Sequence, residues 1–162
     1  MPNSQVKPKN LKYFLWAALI VVLDQVTKLS VQGSFLYQER VNIIPDFFDL
    51  TLLYNPGAAF SFLADAGGWQ KYFFFVLALA VSAYLAYGIV KNQFSTLAKW
   101  AAACIMGGAI GNVIDRGLHG HVIDFLLFYY QNWFYPAFNL ADSFIFIGAA
   151  LLIVDTFKSQ KK

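Results

Sequence analysis

Charged residues are scarce in this chain of 162 amino acids. Only 13% of its residues are Asp, Glu, Lys or Arg, whereas 59% are hydrophobic and 19% are aromatic. A soluble domain of average composition carries about 25% charged residues. So low a charge content excludes the ordinary soluble classes and is typical of an integral membrane protein with a single domain, residues 1–162. The twelve basic residues form no continuous stripe, so we expect no nucleic-acid partner.

Several catalytic and metal-binding patterns are also missing. The one cysteine, Cys104, lies in an apolar run, which makes a disulfide or a cysteine-ligated metal cluster improbable. His119 and His121 form an isolated H-x-H with no H-E-x-x-H motif, so we predict neither a metal site nor another cofactor. No G-x-S-x-G nucleophile motif occurs. Carboxylates remain as the groups present in sufficient number for catalysis.

Four apolar stretches are long enough to cross a bilayer, since a helix needs about 20 residues to span a core of about 30 Å. They cover approximately residues 12–31, 72–90, 96–114 and 139–157. The first could be the apolar region of a cleavable signal peptide. However, no small-x-small cleavage site follows it, and Asp24 and Lys28 can pair one turn apart in a continuing helix. The sequence therefore predicts a mainly α fold, a bundle of four transmembrane helices.

Lysines predict how this bundle is oriented. They gather before the first span, around the loop between the second and third spans, and after the fourth span. These are Lys7, Lys9, Lys12, Lys91, Lys99, Lys158, Lys161 and Lys162. By the positive-inside rule, all three places are cytoplasmic. We therefore expect a multi-pass protein with both termini in the cytoplasm.

Four acidic residues lie inside or at the rim of the apolar stretches: Asp24, Asp115, Asp124 and Asp142. Burying an ionisable group in a membrane costs free energy, so each of the four is a candidate functional residue. The predicted topology brings all four to the outer leaflet. It brings Asn55, Asn112, Arg116 and Asn139 to the same level.

Two external segments separate these spans. Residues 41–63 contain two β-prone runs divided by Asn55-Pro56-Gly57, which predicts a small extracytoplasmic hairpin or sheet. Its apolar side chains either contact lipid or an acyl chain, or pack on the helices. Residues 125–138 are uncharged and aromatic, and we predict an interfacial helix there, before Pro136 turns the chain into the last span.

Glycines in the third span predict close helix packing. The run from Gly107 to Gly111 lacks the lysine and hydroxyl of a phosphate-binding loop. Glycines at i and i+4 instead form a small-xxx-small contact between helices. Asn112 and Arg116 follow Gly108 by one and two turns on the same face, so this contact would press them against neighbouring helices.

Two of the four acids have a structural explanation in the sequence. Asp24 has Lys28 one helical turn away. Asp115 lies beside Arg116, just before a glycine-containing turn where we expect solvent. We therefore predict that these two acids serve the structure rather than the chemistry.

Asp124 and Asp142 lack such an explanation. Neither has a lysine or arginine within four positions, and both lie in apolar sequence. Asp142 falls in the first turn of the last span, where the helix dipole favours an anion and Asn139 can act as N-cap. Two close carboxylates that share one proton can act as base and acid, as in aspartic proteases.

Two other functions stay open on these residues alone. A proton or cation relay could use the same carboxylates, although it needs polar residues through the whole membrane. The second and fourth spans have almost none in their cytoplasmic halves. A non-catalytic scaffold would leave Asp124 and Asp142 without a role.

Five blocks of sequence, in this order among four spans, resemble the bacterial lipoprotein signal peptidases, signal peptidase II. They are D-Q-V-T-K (24–28), N-P-G-A-A-F-S (55–61), G-G-A-I-G-N-V-I-D-R (107–116), H-V-I-D-F (121–125) and F-N-L-A-D-S (138–143). The resemblance implies an aspartic endopeptidase of the bacterial cytoplasmic (inner) membrane. Its substrate would be a diacylated prolipoprotein, cut just before the lipidated cysteine near the outer leaflet.

The resemblance also implies roles for single residues. The family's catalytic aspartates fall on Asp124 and Asp142. The residues expected to position substrate and dyad are Asn55, Asn112, Arg116 and Asn139, with Arg116 holding a substrate carbonyl through its planar fork of donors. Those expected to support the site are Asp24, Lys28 and Gly108. We expect a monomer whose partners are the prolipoprotein and membrane lipid.

Overall fold

The computed structural model describes residues 8–57 and 68–160. Within these ranges, four helices are long and apolar enough to cross a membrane. They are α1 (Leu11–Ser34), α2 (Gln70–Val90), α3 (Thr96–His119) and α4 (Leu140–Ser159). All four predicted spans are thus confirmed as helices, and α1 and α3 run on by about one turn at their C-terminal ends. A short 3-10 turn, Pro8–Asn10, precedes α1.

Helix α3 is the centre of the bundle and packs against each of the other three helices. Thirteen of its 24 residues are buried, compared with two of the 20 residues of α4. The outward faces of α1, α2 and α4 instead carry exposed large apolar side chains, such as Leu15, Val76 and Phe146. In a bilayer these faces meet acyl chains, so α3 is the only one of the four that is surrounded mainly by protein.

Small residues allow the close approach of the helices, as predicted. A Cβ atom at Gly107 would collide with Ile20 of α1, and one at Gly108 would collide with the backbone carbonyl of Ala141 in α4. At Gly111 a Cβ atom would collide with the carboxylate of Asp24. The three glycines therefore bring α1 and α4 against α3 at the level where the polar residues lie.

An antiparallel sheet of four strands accompanies the bundle, in the order β1-β2-β3-β4. The strands are β1 (Arg40–Ile44), β2 (Phe48–Asn55), β3 (Val122–Tyr130) and β4 (Trp133–Phe134). The predicted sheet in residues 41–63 is therefore present, but its hairpin turn lies at Pro45–Phe47, where Asp46 adopts a positive φ of 58°. Asn55-Pro56-Gly57 instead ends β2, and residues 58–63 lie outside the described ranges.

The interfacial helix predicted for residues 125–138 is wrong. Most of this segment belongs to β3 and β4, and β3 pairs with β2 along nearly its full length. Its aromatic and branched side chains suit a strand as well as a membrane interface, and β2 offers unpaired backbone groups. The segment forms strands because β2 supplies hydrogen bonds, and the local sequence does not reveal that β2 will lie beside it.

The sheet lies at one end of the bundle, where α1 and α3 end and α4 begins; we call it the sheet end. There Val31 of α1 and Leu140 of α4 pack with Leu52, Ile123 and Phe125 of the sheet. Gly120, with a φ of 75°, turns the chain from α3 into β3. Sheet and helices thus share one small apolar core, which fixes the strands relative to the helix ends.

Candidate active site

Strand β3 and the first turn of α4 carry the two carboxylates predicted to be catalytic. Asp124 lies opposite Leu53 of β2 and is only 3% exposed. Asp142 is the third residue of α4 and forms a capping box with Asn139. The Asn139 side chain accepts a hydrogen bond from the backbone N–H of Asp142 (2.9 Å), and the Asp142 carboxylate accepts one from the N–H of Asn139 (3.3 Å).

Asn139 joins the two carboxylates. While its Oδ1 caps the helix, its Nδ2 donates to Asp124 Oδ1 at 2.8 Å and to the Ile123 carbonyl at 3.2 Å. The side chain is completely buried. One asparagine therefore fixes both aspartates relative to each other. Asp124 precedes Asn139 by 15 positions and Asp142 by 18, yet the three side chains meet at one place.

Two further asparagines complete the hydrogen bonds of this pair. Asn55, at the end of β2, donates from Nδ2 to Asp124 Oδ2 at 3.0 Å. Asn112, on α3, donates from Nδ2 to Asp142 Oδ1 at 2.8 Å. Each of the four carboxylate oxygens therefore receives an N–H. The structure brings together all five residues of the predicted dyad and its asparagines.

Burial and repulsion affect the protonation of Asp124. Because the side chain is buried next to the carboxylate of Asp142, the pKa of Asp124 rises to about 7, although the amides of Asn55 and Asn139 act in the opposite direction. At neutral pH this carboxyl is consequently close to its midpoint. The pair can hold one proton and still keep one carboxylate ionised.

A lysine-centred ion cluster lies directly behind this pair. Lys28 is only 1% exposed, and its ammonium contacts Asp24 Oδ2 (2.7 Å), Asp115 Oδ2 (2.8 Å) and Asn112 Oδ1 (2.9 Å). Asp24 Oδ1 also accepts a hydrogen bond from the backbone N–H of Ala141 at the start of α4. The predicted pairing of Asp24 with Lys28 is confirmed, and the cluster links α1, α3 and α4.

The solvated position predicted for Asp115 is wrong. Asp115 is 2% exposed, pairs with Lys28 and accepts a hydrogen bond from the backbone N–H of Ile123 in β3 (3.2 Å). The prediction failed because Arg116, its neighbour in sequence, points to a different side of α3. Gln25 was not among the predicted site residues, yet it belongs to this cluster. Its Nε2 donates to Asp115 Oδ1 (2.9 Å) and to the Gly111 carbonyl (3.1 Å). A glutamine inside an apolar span next to Asp24 was the only indication in the sequence.

Comparison with known proteins identifies the family of this arrangement. The family model described as signal peptidase (SPase) II matches residues 16–158. This chain belongs to the signal peptidase II family. A lipoprotein signal peptidase of Neisseria meningitidis serogroup C is 64% identical over 159 residues, which cover 98% of this chain and 96% of that protein. A lipoprotein signal peptidase of Chromobacterium violaceum is 56% identical over 163 residues, or 100% of this chain and 99% of that protein.

Solved structures agree with this membership. A chain described as a bacterial membrane enzyme superposes with a TM-score of 0.82 at 31% identity, over 92% of this chain and 89% of that chain. A second chain with the same description gives a TM-score of 0.74 at 32% identity. This member of the signal peptidase II family is thus a multi-pass membrane peptidase with a four-helix bundle and a small sheet.

Arg116 lies one turn beyond Asn112 on α3. Its Nη2 donates to the Gly57 carbonyl at 2.9 Å, which connects the end of β2 to α3. Its guanidinium also lies over the ring of Phe74, 5.8 Å from the centroid. The Nε atom is buried and has no hydrogen-bond partner within residues 8–57 and 68–160. The chain thus holds a permanent cation with a spare donor near the dyad.

An apolar groove opens beside Asp142. It has a volume of about 470 Å³. Its lining residues come from β3, β4 and α4 and are Phe128, Trp133, Tyr135, Phe138, Asp142, Ser143, Phe146 and Ile147. Phe146, near its edge, is 74% exposed on the outward face of α4. The groove therefore leads from the face that meets lipid to Asp142, one of the two candidate catalytic residues.

The histidine and acidic side chains form no candidate metal site in the part of the chain that the structure describes. No group of three or more His, Cys, Asp or Glu side chains there could hold a metal ion. The rings of His119 and His121 lie 5.9 Å apart, and burial together with the neighbouring His119 lowers the pKa of His121.

Proposed function

We propose that this chain is an aspartic endopeptidase that removes the signal peptides of prolipoproteins, with Asp124 and Asp142 as its catalytic dyad. Its substrate would carry diacylglycerol on a cysteine, and cleavage would occur just before that cysteine. The names of its relatives, lipoprotein signal peptidases, support this substrate class. The enzyme would act as a monomer in the bacterial cytoplasmic membrane.

The assignment of the dyad rests on which of the four acids have a cation beside them. Asp24 and Asp115 share the ammonium of Lys28 at 2.7 and 2.8 Å. Among the described residues, Asp124 and Asp142 form no such ion pair and receive amide and backbone hydrogen bonds instead. A buried carboxylate without a cation is costly, so its retention favours a role in chemistry.

The chemistry follows from one proton shared by two carboxyl groups. The ionised carboxylate takes a proton from a water molecule, and the oxygen of that water attacks the scissile carbonyl carbon. The protonated carboxyl donates its proton to the developing oxyanion. As the C–N bond breaks, the carboxyl that took a proton from the water delivers it to the leaving nitrogen, and the proton on the former oxyanion returns to its donor. A pKa of about 7 for Asp124 suits this exchange of roles at neutral pH.

Arg116 would hold a backbone carbonyl of the substrate. Two of its nitrogens already donate to Gly57 and Asn112 carbonyls, whereas Nε has no partner within the described residues. A guanidinium presents several donors in one plane, so it can bind a further carbonyl without losing these two. Asn55, Asn112 and Asn139 would keep the dyad in place, and Asp24, Lys28 and Gly108 would support it.

The signal helix and the acyl chains would enter the groove sideways from lipid. Its aromatic lining and its opening toward the outward face of α4 suit an apolar ligand. The lysine distribution places the sheet end at the outer leaflet and both termini in the cytoplasm. The dyad would thus meet a substrate whose lipid already lies in the outer leaflet.

A proton relay is less well supported. The buried polar residues of the sheet end are separated from Asn10 at the opposite end by Tyr13, Ala17, Ala102, Ala103 and Met106, which are buried and mostly apolar. Such a layer interrupts a chain of hydrogen bonds across the membrane. Cleavage, which needs the dyad at one surface only, fits this distribution better.

Membranes that contain Asp124→Asn or Asp142→Asn test the dyad through cleavage of a diacylated prolipoprotein. Each variant should lose at least about a hundredfold in rate, since acid–base groups contribute 10²–10⁴-fold. The matched control is Asp46→Asn, the same chemical change at an exposed turn of the same sheet, where the positive φ also suits Asn. Near-normal turnover in either dyad variant would refute the assignment.

A further inference from the structure

Three asparagines supply side-chain donors to the dyad, and each has its amide oxygen held by a group that can only donate. Asn55 Oδ1 accepts from the backbone N–H of Gly57, and Asn139 Oδ1 accepts from that of Asp142, both at 2.9 Å. Asn112 Oδ1 accepts from the ammonium of Lys28, also at 2.9 Å. Backbone N–H groups and ammonium groups can donate a hydrogen bond but cannot accept one. Each amide must therefore present its NH₂ group to a carboxylate.

Asn112 differs from the other two in the origin of this constraint. The backbone beside Asn55 and Asn139 fixes their amides, whereas a side chain from another helix fixes Asn112. If that ammonium were missing, the remaining contact of Asn112 Oδ1 would be Asn139 Nδ2 at 3.3 Å. The amide of Asn112 could then rotate and turn its oxygen toward Asp142 Oδ1.

We infer that Lys28 is a positioning residue of the dyad: it orients the Asn112 amide to donate to Asp142, which keeps Asp142 ionised as the water-activating partner while Asp124 carries the proton. This inference rests on the proposed function. The position of Asp142 in the first turn of α4 favours the same assignment, because a helix N-terminus stabilises an anion. Asp124 lies in a strand and has no helix terminus of its own.

Several other charges also act on Asp142 and must be separated from this effect. Asp124 faces it from β3, Asp115 and Arg116 lie on α3, and Asp24 and Lys28 lie on α1. The charge of Lys28 acts on the dyad through space as well as through Asn112. Only an experiment that removes Asn112 can distinguish the two routes.

A double-mutant cycle with Lys28→Met and Asn112→Ala makes this distinction. The readout is the pH profile of kcat and of kcat/KM for cleavage of a diacylated prolipoprotein. Lys28→Met should move the acid limb upward by about one pH unit and lower kcat on that limb roughly tenfold, with little change in KM. In the Asn112→Ala background, which already lacks the donor, Lys28→Met should cause a clearly smaller shift, because only the effect of its charge through space remains. An equal shift in both backgrounds, or no shift at all, would overturn the inference.

Gln25→Met is the matched control within the ion cluster. Among the described residues, the Gln25 side chain donates hydrogen bonds to Asp24, Asp115 and the Gly111 carbonyl but none to the Asn112 side chain. A merely structural role of the cluster predicts that Gln25→Met and Lys28→Met change the profile alike. Orientation through Asn112 predicts that Gln25→Met lowers the thermal midpoint and leaves the acid limb in place.

Lys28→Met leaves two buried carboxylates without a cation and could prevent folding. Lys28→Met combined with Asp115→Asn removes one positive and one negative charge, so the cluster keeps its net charge. Compared with Asp115→Asn alone, the combined variant should still show the upward shift of the acid limb, and an unchanged limb would again contradict the inference. A failure of the proposed function would be distinguishable from a failure of this inference. It would appear as full activity in the Asp124→Asn or Asp142→Asn membranes.

Discussion

Two pairs of carboxylates lie side by side at the sheet end, all buried except the half-buried Asp142. The pairs differ in the groups that compensate their charge. Asp24 and Asp115 flank the ammonium of Lys28. Asp124 and Asp142 receive only N–H groups of amides and backbone among the described residues. The first arrangement stabilises the charge of its carboxylates permanently, whereas the second would allow the two carboxyl groups to share one proton, as the proposed mechanism requires. Neighbouring acids can therefore serve structure in one case and, under the proposed function, chemistry in the other.

The largest expected effect comes from breaking the ion cluster. Lys28→Met leaves Asp24 and Asp115 buried without their cation, and removing one partner of a buried pair costs about 3–5 kcal/mol. We expect the free energy of unfolding in detergent to fall by this amount. The matched change in the other pair, Asp142→Asn, removes no ion pair and should alter stability far less. Equal losses in both variants would abolish the distinction between the pairs.

The pH dependence of stability sharpens the same comparison. The pKa of Asp124 rises from 3.8 in the unfolded chain to about 7 in the folded protein, so the folded state binds the proton more tightly. The stability associated with this proton is present at low pH and is lost as pH rises from about 4 to about 7. We expect the free energy of unfolding to decline over this window by up to about 4 kcal/mol, or about 1.4 kcal/mol for each of about three pKa units. In Asp124→Asn the decline should be smaller, and an unchanged slope would show that another group causes it.

Helix packing offers a smaller perturbation of the dyad. In Gly108→Ala the new methyl group would collide with the Ala141 carbonyl and push α4, which carries Asp142, away from α3. Overpacking of this kind costs about 1–3 kcal/mol, and we expect cleavage to fall with stability. Gly33→Ala is the matched control in α1, because a Cβ atom there meets nothing within 4 Å. That variant should be as stable as the parent or slightly more stable, with normal cleavage.

The smallest effect is expected at a third ion pair, away from the dyad. Arg40 pairs with Asp49 within the sheet and lies over the rings of Tyr129 and Phe134. The arginine is 43% exposed, and Asn42 still donates to Asp49, which is itself only 4% exposed, so Arg40→Gln should cost only about 1 kcal/mol. Thermal unfolding and prolipoprotein cleavage measured together should show a slightly lower midpoint with a rate close to that of the parent. A large loss of cleavage would mean that the sheet controls the dyad more directly than its ion pair suggests.

Much of the fold could be predicted from local sequence. Long apolar runs predicted the four helices, because a membrane helix needs only its own residues to satisfy its backbone. The pairing of Asp24 with Lys28 was equally local, since the two residues are one turn apart. The asparagine cap at Asn139 also depended on its own neighbours. Each of these predictions was confirmed because no distant residue was needed to decide it.

Contacts between distant residues decided the rest. Residues 125–138 had the composition of an interfacial segment, but β2, about 70 positions earlier, supplied hydrogen bonds that made most of them strands. Asp115 stood next to Arg116 in sequence, yet the ammonium of Lys28, 87 positions away, was its actual partner. A residue's neighbours on a helix face are not its neighbours in sequence, so adjacency gave the wrong pair.

By itself, the amino-acid sequence determined which groups this protein has for chemistry, how many helices cross the membrane and which acids have a lysine close by. The tertiary structure decided that Asn112 lies between Lys28 and Asp142, and that Asn139 holds both aspartates. The physical reason is the direction of hydrogen bonds: an amide can donate or accept according to what faces each end. Only the packing of α1, α3, α4 and β3 around one point determines what those ends face.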